Sequence, residues 1–389
     1  MNYTKKLDII LSSLAEELNI SDTMYERAVQ SYSALGEYLR KANTDWVVEV
    51  YPQGSFEMGT VVKPLSDEDQ YDVDLVVLVE SPVFSAKELR ESILALLEEY
   101  GRYEGKIEDK KRCIRIQYKD SAQFHMDIAC AKNALIQGNN IISISQHDNN
   151  GSYDFSPSDP LGYITWFKDA MRYYELPEMR ALSEKVTSST DVTPLPLIKI
   201  HTTLQQSIQL LKRHRDIYFE SNIDNSPSSI IITTLCALSY DHIVKNQMQS
   251  KSIYATIKSM LENFSRYITI KNGEYHLDNP VLKNENFLAS WKANGNLKQH
   301  FDSWIRKATI DIVTAPAGFI ENDPAKLSKA LYENFGGTVA ARALKKYGQT
   351  LEALNAAGAL NVNTSTMSLT LQQSGENISS PKKNTFFGE

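Results

Sequence analysis

Hydrophobic and polar positions change rhythm several times along this chain. Through "LDIILSSLAEELNI" and "YERAVQSYSALGEYLRKA" apolar residues recur every three or four positions, the period of an amphipathic helix. Residues 1 to about 43 are therefore expected to be helical. "WVVEVYPQG" and "DVDLVVLVE" condense into short apolar runs that predict two strands, the first ending at Gly54. "AKELRESILALLEEYG" returns to the helical period, with Gly101 as its stop. "RCIRIQY" and "FHMDIACA" predict two more strands joined by the turn-like "KDSAQ". "SYDFSPSDPLGY", after Asn150, reads as loop, and from about Trp166 helical spacing dominates.

That succession predicts a mixed α/β segment over 1–165 and a mostly helical one over 166–360. From about Asn361 the chain, "NVNTSTMSLTLQQSGENISSPKKNTFFGE", is rich in Ser, Thr, Asn and Gln and loses helical periodicity. Residues 361–389 are expected to be a mobile arm.

Composition narrows the class. The 389 residues allow one large domain or two intimate ones, and 42% hydrophobic with 23% charged residues is ordinary for a globular protein. No apolar run approaches the ~18 residues of a membrane span. The opening "MNYTKKLDIILSSLAEEL" carries acids inside its apolar stretch, so it reads as helix and not as a signal peptide. Cys113, Cys130 and Cys236 lack metal-ligand spacing and are expected to be reduced residues in a cytoplasmic protein. A net charge of −7 argues against nonspecific nucleic-acid binding, while leaving room for a local basic pocket that takes a triphosphate.

The candidate chemistry lies in the strands. Residues i and i+2 of a strand face the same way, so Asp72 and Asp74 would present both carboxylates on one side while Val73 and Leu75 pack on the other. Asp127 stands in a separate predicted strand with the same apolar surround. Three acids from neighbouring strands suit a pair of Mg²⁺ ions ~3.5–4 Å apart, the arrangement for in-line phosphoryl displacement. Upstream, Gly54 allows close backbone approach to a phosphate, Ser55 offers a hydroxyl, and "FEMGTVV" could start a short helix. Asp67, Glu68 and Asp69 read as a solvated loop.

These stretches resemble the nucleotidyltransferase superfamily typified by DNA polymerase β and, more narrowly, the bacterial cGAS/DncV-like nucleotidyltransferases, the CD-NTases of anti-phage signalling. The resemblance is carried by "YPQGSFEMGTVVKP", "YDVDLVVLVE", "FHMDIACA" and "SPSDPLGYITWF", with "SIQLLKRHRDIYF", "SPSSIIITTLCA" and "NPVLKNENFLASWK" in support. It implies an α+β fold: a polymerase β-like core sheet with a helical C-terminal lobe, forming a two-lobed cage. It implies synthesis of a cyclic di- or trinucleotide from ATP and other NTPs. Asp72, Asp74 and Asp127 would then hold two Mg²⁺ ions, with Mn²⁺ able to substitute. Gln53, Gly54 and Ser55 would hold the donor triphosphate, with Lys212 as its clamp; read alone, Lys212, Arg213 and Arg215 are equally a solvated basic face. Ser229, less so Ser228, would be a phosphate ligand or a helix cap.

The chain lacks the His and Cys cluster of the animal enzyme's zinc thumb, so DNA activation through that device is not expected. The rival readings are a linear or template-independent nucleotidyltransferase and, in another class, a silent scaffold, which loss of a metal acid would mark. The resemblance also implies, for some family members, a ubiquitin-transfer-like partner acting on the chain's end. Glu389 would supply the conjugated carboxylate, with Phe386 and Phe387 as anchors and Gly388 allowing close approach.

Overall fold

The structure is a computed structural model. It describes residues 2–42, 46–66, 69–80, 84–118, 124–134, 140–171, 192–193, 195–196, 201–246, 251–357, 359, 361–363, 368–370 and 378–379. The chain divides into two compact units. One comprises Asn19–Gln205 with His276–Phe287, and the other Met1–Leu18, Gln206–Tyr275 and Leu288–Glu389. The sequence pattern alone places the boundary at residue 165 and the first helix with the mixed segment.

The first unit is built on a seven-stranded mixed sheet. Its strands are β1 (Val47–Pro52), β2 (Tyr71–Glu80), β3 (Ile107–Asp109), β4 (Ile114–Tyr118), β5 (Phe124–Asn133), β6 (Ile142–His147) and β7 (Tyr153–Ser158). The order is β1-β2-β5-β4-β3, and β6 joins the far end of β5 and pairs with β7. β2 and β5 run parallel, whereas the other pairs are antiparallel. A parallel pair needs a long crossover, here containing the helix Ala86–Glu99, which opens on a reciprocal Ser85–Glu88 capping box.

Period-2 alternation gives the sheet two unlike faces. Val73, Leu75, Val77 and Val79 of β2 join Phe124, Met126, Ile128 and Cys130 of β5 in the main core. Two helices cover that face. Asp22–Ala42 contributes Ala28, Tyr32, Leu35 and Leu39, and Ala86–Glu99 contributes Leu89, Ile93 and Leu97. On the opposite face Tyr51, Val76, Leu78, Ala129, Ala131, Ile142 and Ile144 form a smaller cluster. Asp72, Asp74 and Asp127 have the same parity as that second face and lie at its other end.

Two expectations change here. "SYDFSP" is not loop but the edge strand β7, where Pro157 is tolerated because an edge strand need not donate on both sides. "FEMGTVV" does not begin a helix; the turn of helix is Gly54–Met58, closed by Gly59 at φ 64°.

In the second unit, α1 (Tyr3–Glu17) is capped by Asn2 and packs on α13 (Gly337–Ala356). Lys346 bridges Glu16 and Glu17 at 3.2 and 2.6 Å, and Asp8 accepts from Ser252 Oγ and Tyr254 N at 2.9 Å. The helix Thr203–Tyr218, whose residues from Gln206 onward belong to this unit, carries Lys212, Arg213 and His214, which are 4%, 2% and 2% exposed. The solvated-face alternative for Lys212 and Arg213 is thereby overturned. His214 bridges Trp304 and Asp311: Trp304 Nε1 donates to His214 Nδ1 at 3.1 Å, and His214 Nε2 lies 3.0 Å from Asp311 Oδ2. Asp311 stands in a π-helical stretch, Thr309–Thr314, and also accepts from Lys307 at 2.6 Å. Burial pushes Asp311 up, but the hydrogen bonds from His214 and Lys307 outweigh it and hold the carboxyl below its usual range.

Within the expected mobile arm, Asn361–Asn363, Ser368–Thr370 and Ile378–Ser379 pair as three short strands. Asp67, Glu68 and 380–389, including Phe386, Phe387, Gly388 and Glu389, lie outside the described residues. Among the described residues, no helix is long and apolar enough to cross a membrane.

Candidate active site

Register assembles the acids. In the parallel pairing Asp72 is opposite His125 and Asp74 is opposite Asp127. The antiparallel pairing of β5 with β4 puts Arg115 opposite Asp127 and Gln117 opposite His125. One sheet face thus carries Asp74, Asp127 and Arg115 in one row and Asp72, His125 and Gln117 in the next. Asp72 is exposed, Asp74 and Asp127 are half-buried, and His125 is buried.

Arg115 and Asp127 form a bidentate pair, with Nε and Nη2 each donating to one carboxylate oxygen at 2.7 Å. That hydrogen bond raises the Arg115 pKa further, and the planar fork fixes the orientation of the Asp127 carboxylate. Cys113 lies close enough to feel these charges. Burial, reinforced by Asp127, pushes its thiol up to about 12, so it stays an unreactive thiol.

The turn after β1 closes the site from the other strand. Gln53 N donates to Asp74 O at 2.9 Å, which continues the β1–β2 ladder by one residue. Gly54 then adopts φ +65°, and a Cβ on it would lie 2.9 Å from Asp74 Cγ. Only glycine gives both the left-handed backbone and the space. Ser55 follows in the helical turn, half-buried, and its carbonyl accepts from Thr60 N at 2.9 Å. Gln53, Gly54 and Ser55 are therefore brought beside Asp74.

Lys212, Ser228 and Ser229 belong to the other compact unit. Ser228, and not Ser229, is the cap residue of the helix Ser229–Lys245, and it makes no side-chain capping bond. Ser229 Oγ accepts from Arg215 Nη1 at 3.1 Å, while the same nitrogen donates to Pro227 O at 3.0 Å.

The donor set fits divalent cations. One ligand atom from each of Asp72, His125 and Asp127 lies within 4.8 Å of the others. His125 Nε2 is buried and stands in close contact with Asp72 Oδ1. Sequence reading missed Arg115 and His125. His125 was visible as the residue two before Asp127, on the same face. Arg115 was visible only through the hairpin, because pairing Tyr118 with Phe124 across the turn forces Arg115 opposite Asp127.

A mixed sheet that gathers strand acids beside a Gly-Ser turn defines a nucleotidyltransferase of the polymerase β type. Residues 48–130 match the family described as "Cyclic GMP-AMP synthase DncV-like, nucleotidyltransferase domain". The chain is 30% identical over 311 residues to a c-di-GMP synthase of Roseivirga ehrenbergii, covering 78% of each. The fold is similar to that of the Bradyrhizobium diazoefficiens CD-NTase CdnG in complex with GTP, with a TM-score of 0.66 at 20% identity over 88% of this chain and 99% of that one. It is also similar to Vibrio cholerae DncV in complex with the linear intermediate 5′-pppA(3′,5′)pG, with a TM-score of 0.54 at 14% identity over 87% of each. The chain belongs to the DncV-like nucleotidyltransferases, the CD-NTases.

Proposed function

We propose that the acid-bearing face binds a nucleoside triphosphate with two Mg²⁺ ions and transfers its nucleotidyl group to the ribose hydroxyl of a second nucleotide. As a CD-NTase the chain is an enzyme that makes cyclic oligonucleotides. A bond forms between the attacking oxygen and the α-phosphorus, the α–β phosphoanhydride bond breaks, and pyrophosphate leaves. A second transfer within the linear product closes the ring. The observation that carries this reading is the β2–β5 register, which stacks Asp74 on Asp127 and Asp72 on His125.

Asp72, Asp74 and Asp127 are the proposed metal ligands. When bound, the cations supply charge stabilisation at the α-phosphoryl group and acidify the attacking hydroxyl. Asp127 would also lie near the acceptor hydroxyl and help take its proton, while Arg115 holds its carboxylate in place. Gln53, Gly54 and Ser55 bind the triphosphate, and Lys212 with Ser229, and less so Ser228, adds phosphate contacts. Lys212→Ala should then cost about 1.5–3 kcal/mol of NTP affinity, the worth of a charged hydrogen bond.

GTP is the first substrate to test, because the relative at 30% identity is named a c-di-GMP synthase; ATP is the competitor. Incubation with four labelled NTPs and Mg²⁺ or Mn²⁺, phosphatase digestion and mass spectrometry separate a ring, which has no terminal phosphate, from a linear product. Linear oligonucleotides alone would favour the rival transferase. No product, with Asp72→Asn and wild type alike, would favour a scaffold.

The proposed role is anti-phage signalling in the cytoplasm, where NTPs are available. It is tested by plaque counts with wild type against Asp72→Asn. The tail reading adds conjugation through Glu389 by a ubiquitin-transfer-like partner. Deletion of 381–389 should then abolish conjugates and leave synthesis unchanged.

A further inference from the structure

His125 has no task in the transfer described above, yet its setting is that of a ligand. It is 8% exposed and shares a sheet face with the acids. Nδ1 lies 3.3 Å from Gln70 Oε1. An amide oxygen only accepts, so Nδ1 is the nitrogen that donates to it and Nε2 is the one turned to the acids. Nε2 is directed at Asp72 Oδ1 and stands 3.9 Å from Asp127 Oδ2, with no aligned hydrogen bond to either. A ring nitrogen and two carboxylates this close together need positive charge among them, either a proton that the ring shares with Asp72 or a cation that takes all three as ligands. The Gln70 contact is the outer-shell partner that fixes a metal-binding histidine in one tautomer and ring orientation.

We propose that His125 is itself a metal ligand, so that one cation site of the enzyme is built from Asp72, Asp127 and the His125 Nε2 atom. The proposal rests on the metal-binding reading of the acids. A nitrogen in the donor set changes which ion the site prefers. Mg²⁺ takes oxygen ligands and holds its waters tightly, whereas imidazole favours later divalent metals such as Co²⁺, Ni²⁺ and Zn²⁺. The site therefore binds Co²⁺ more tightly than Mg²⁺ by a margin that three carboxylates alone would not give. Low concentrations of such a metal should compete with Mg²⁺ at one of the two positions.

Two measurements on the full-length protein test this. In the first, Mn²⁺ is bound and electron spin-echo modulation is recorded. A directly bonded ¹⁴N should appear, and should change to the ¹⁵N pattern in protein grown with ¹⁵N-histidine. In the second, Co²⁺ and Mg²⁺ are titrated calorimetrically into wild type and His125→Asn. Co²⁺ affinity should fall about tenfold or more, the scale on which even supporting ligand contacts act, while Mg²⁺ affinity changes much less. Wild-type protein that cyclises NTPs with Mg²⁺ but shows no nitrogen coupling would overturn the His125 proposal and leave the catalytic reading standing. Equal losses for both metals in a folded variant would also overturn it. Protein that binds no divalent metal and forms no product would remove both readings. The nitrogen signal needs no variant, so a His125→Asn protein that fails to fold does not blunt the test.

Discussion

Gly54 and Asp74 occupy space that only one of them can fill. At φ +65° the glycine backbone lies so close that a Cβ would stand 2.9 Å from Asp74 Cγ and 3.1 Å from Asp74 Cβ. The turn therefore acts as a wall behind the carboxylate.

Gly54→Ala should push Asp74 out of place. The backbone strain is about 1 kcal/mol, so the thermal midpoint should drop by only a few degrees. Synthesis should fall about 10²-fold, the cost of a displacement near 1 Å at a reacting centre. Product assays beside thermal melts check this. Unimpaired synthesis would mean that Asp74 does not need its observed position.

Arg115→Lys keeps the positive charge beside Asp127 and loses the fork. The variant should retain NTP KM within a few-fold while kcat falls about tenfold or more. Steady-state kinetics at saturating Mg²⁺ read the split. A loss confined to KM would assign Arg115 to nucleotide binding instead.

His201 sets a pH dependence. Burial pulls its pKa down to about 4, against about 6.5 when unfolded. The unfolded chain then binds this proton more readily than the folded one. Stability is full above pH 6.5, declines as the pH falls toward 4, and the loss levels off below that, at about 3 kcal/mol at most. Denaturant titrations between pH 7.5 and 5 should show the decline, and His201→Gln should flatten it. A wild-type curve that is already flat in that window would refute the assignment.

Trp304→Phe removes the donor to His214 Nδ1 in a buried network. An unsatisfied buried acceptor costs about 1–3 kcal/mol, so the denaturation midpoint should fall accordingly. No change would mean that His214 has found another donor.

The three strand acids were legible because alternation is a local signal. Asp72 and Asp74 interrupt an apolar run at period two, and Asp127 does the same in its own strand. Their partnership was not legible from periodicity, since the parallel pairing of β2 with β5 depends on a crossover whose path no local pattern encodes. β6 and β7 were missed because Ser and Gln blur the apolar pattern of β6 and Pro that of the edge strand β7. Lys212 and Arg213 were misleading for a related reason. Every residue of their helix from Ser207 to His214 is buried, and hydrophobic periodicity marks a buried face only when another face is wet. The three short strands after Asn361 lie in polar sequence whose pairing comes from neighbours and not from hydrophobic pattern.

The packing of α1 on α13 has a consequence for how the protein is made. The two helices are separated by roughly 300 residues of chain. A ribosome adds about 5–20 residues per second, so the first helix emerges tens of seconds before its partner exists. Leu7, Ile10, Leu11 and Leu14, all buried in the finished fold, cannot be fully covered before then. The sheet-bearing unit can meanwhile complete most of its own core. Vectorial synthesis thus delivers the strand acids early and leaves an apolar helix without its last cover until the final third of the chain arrives.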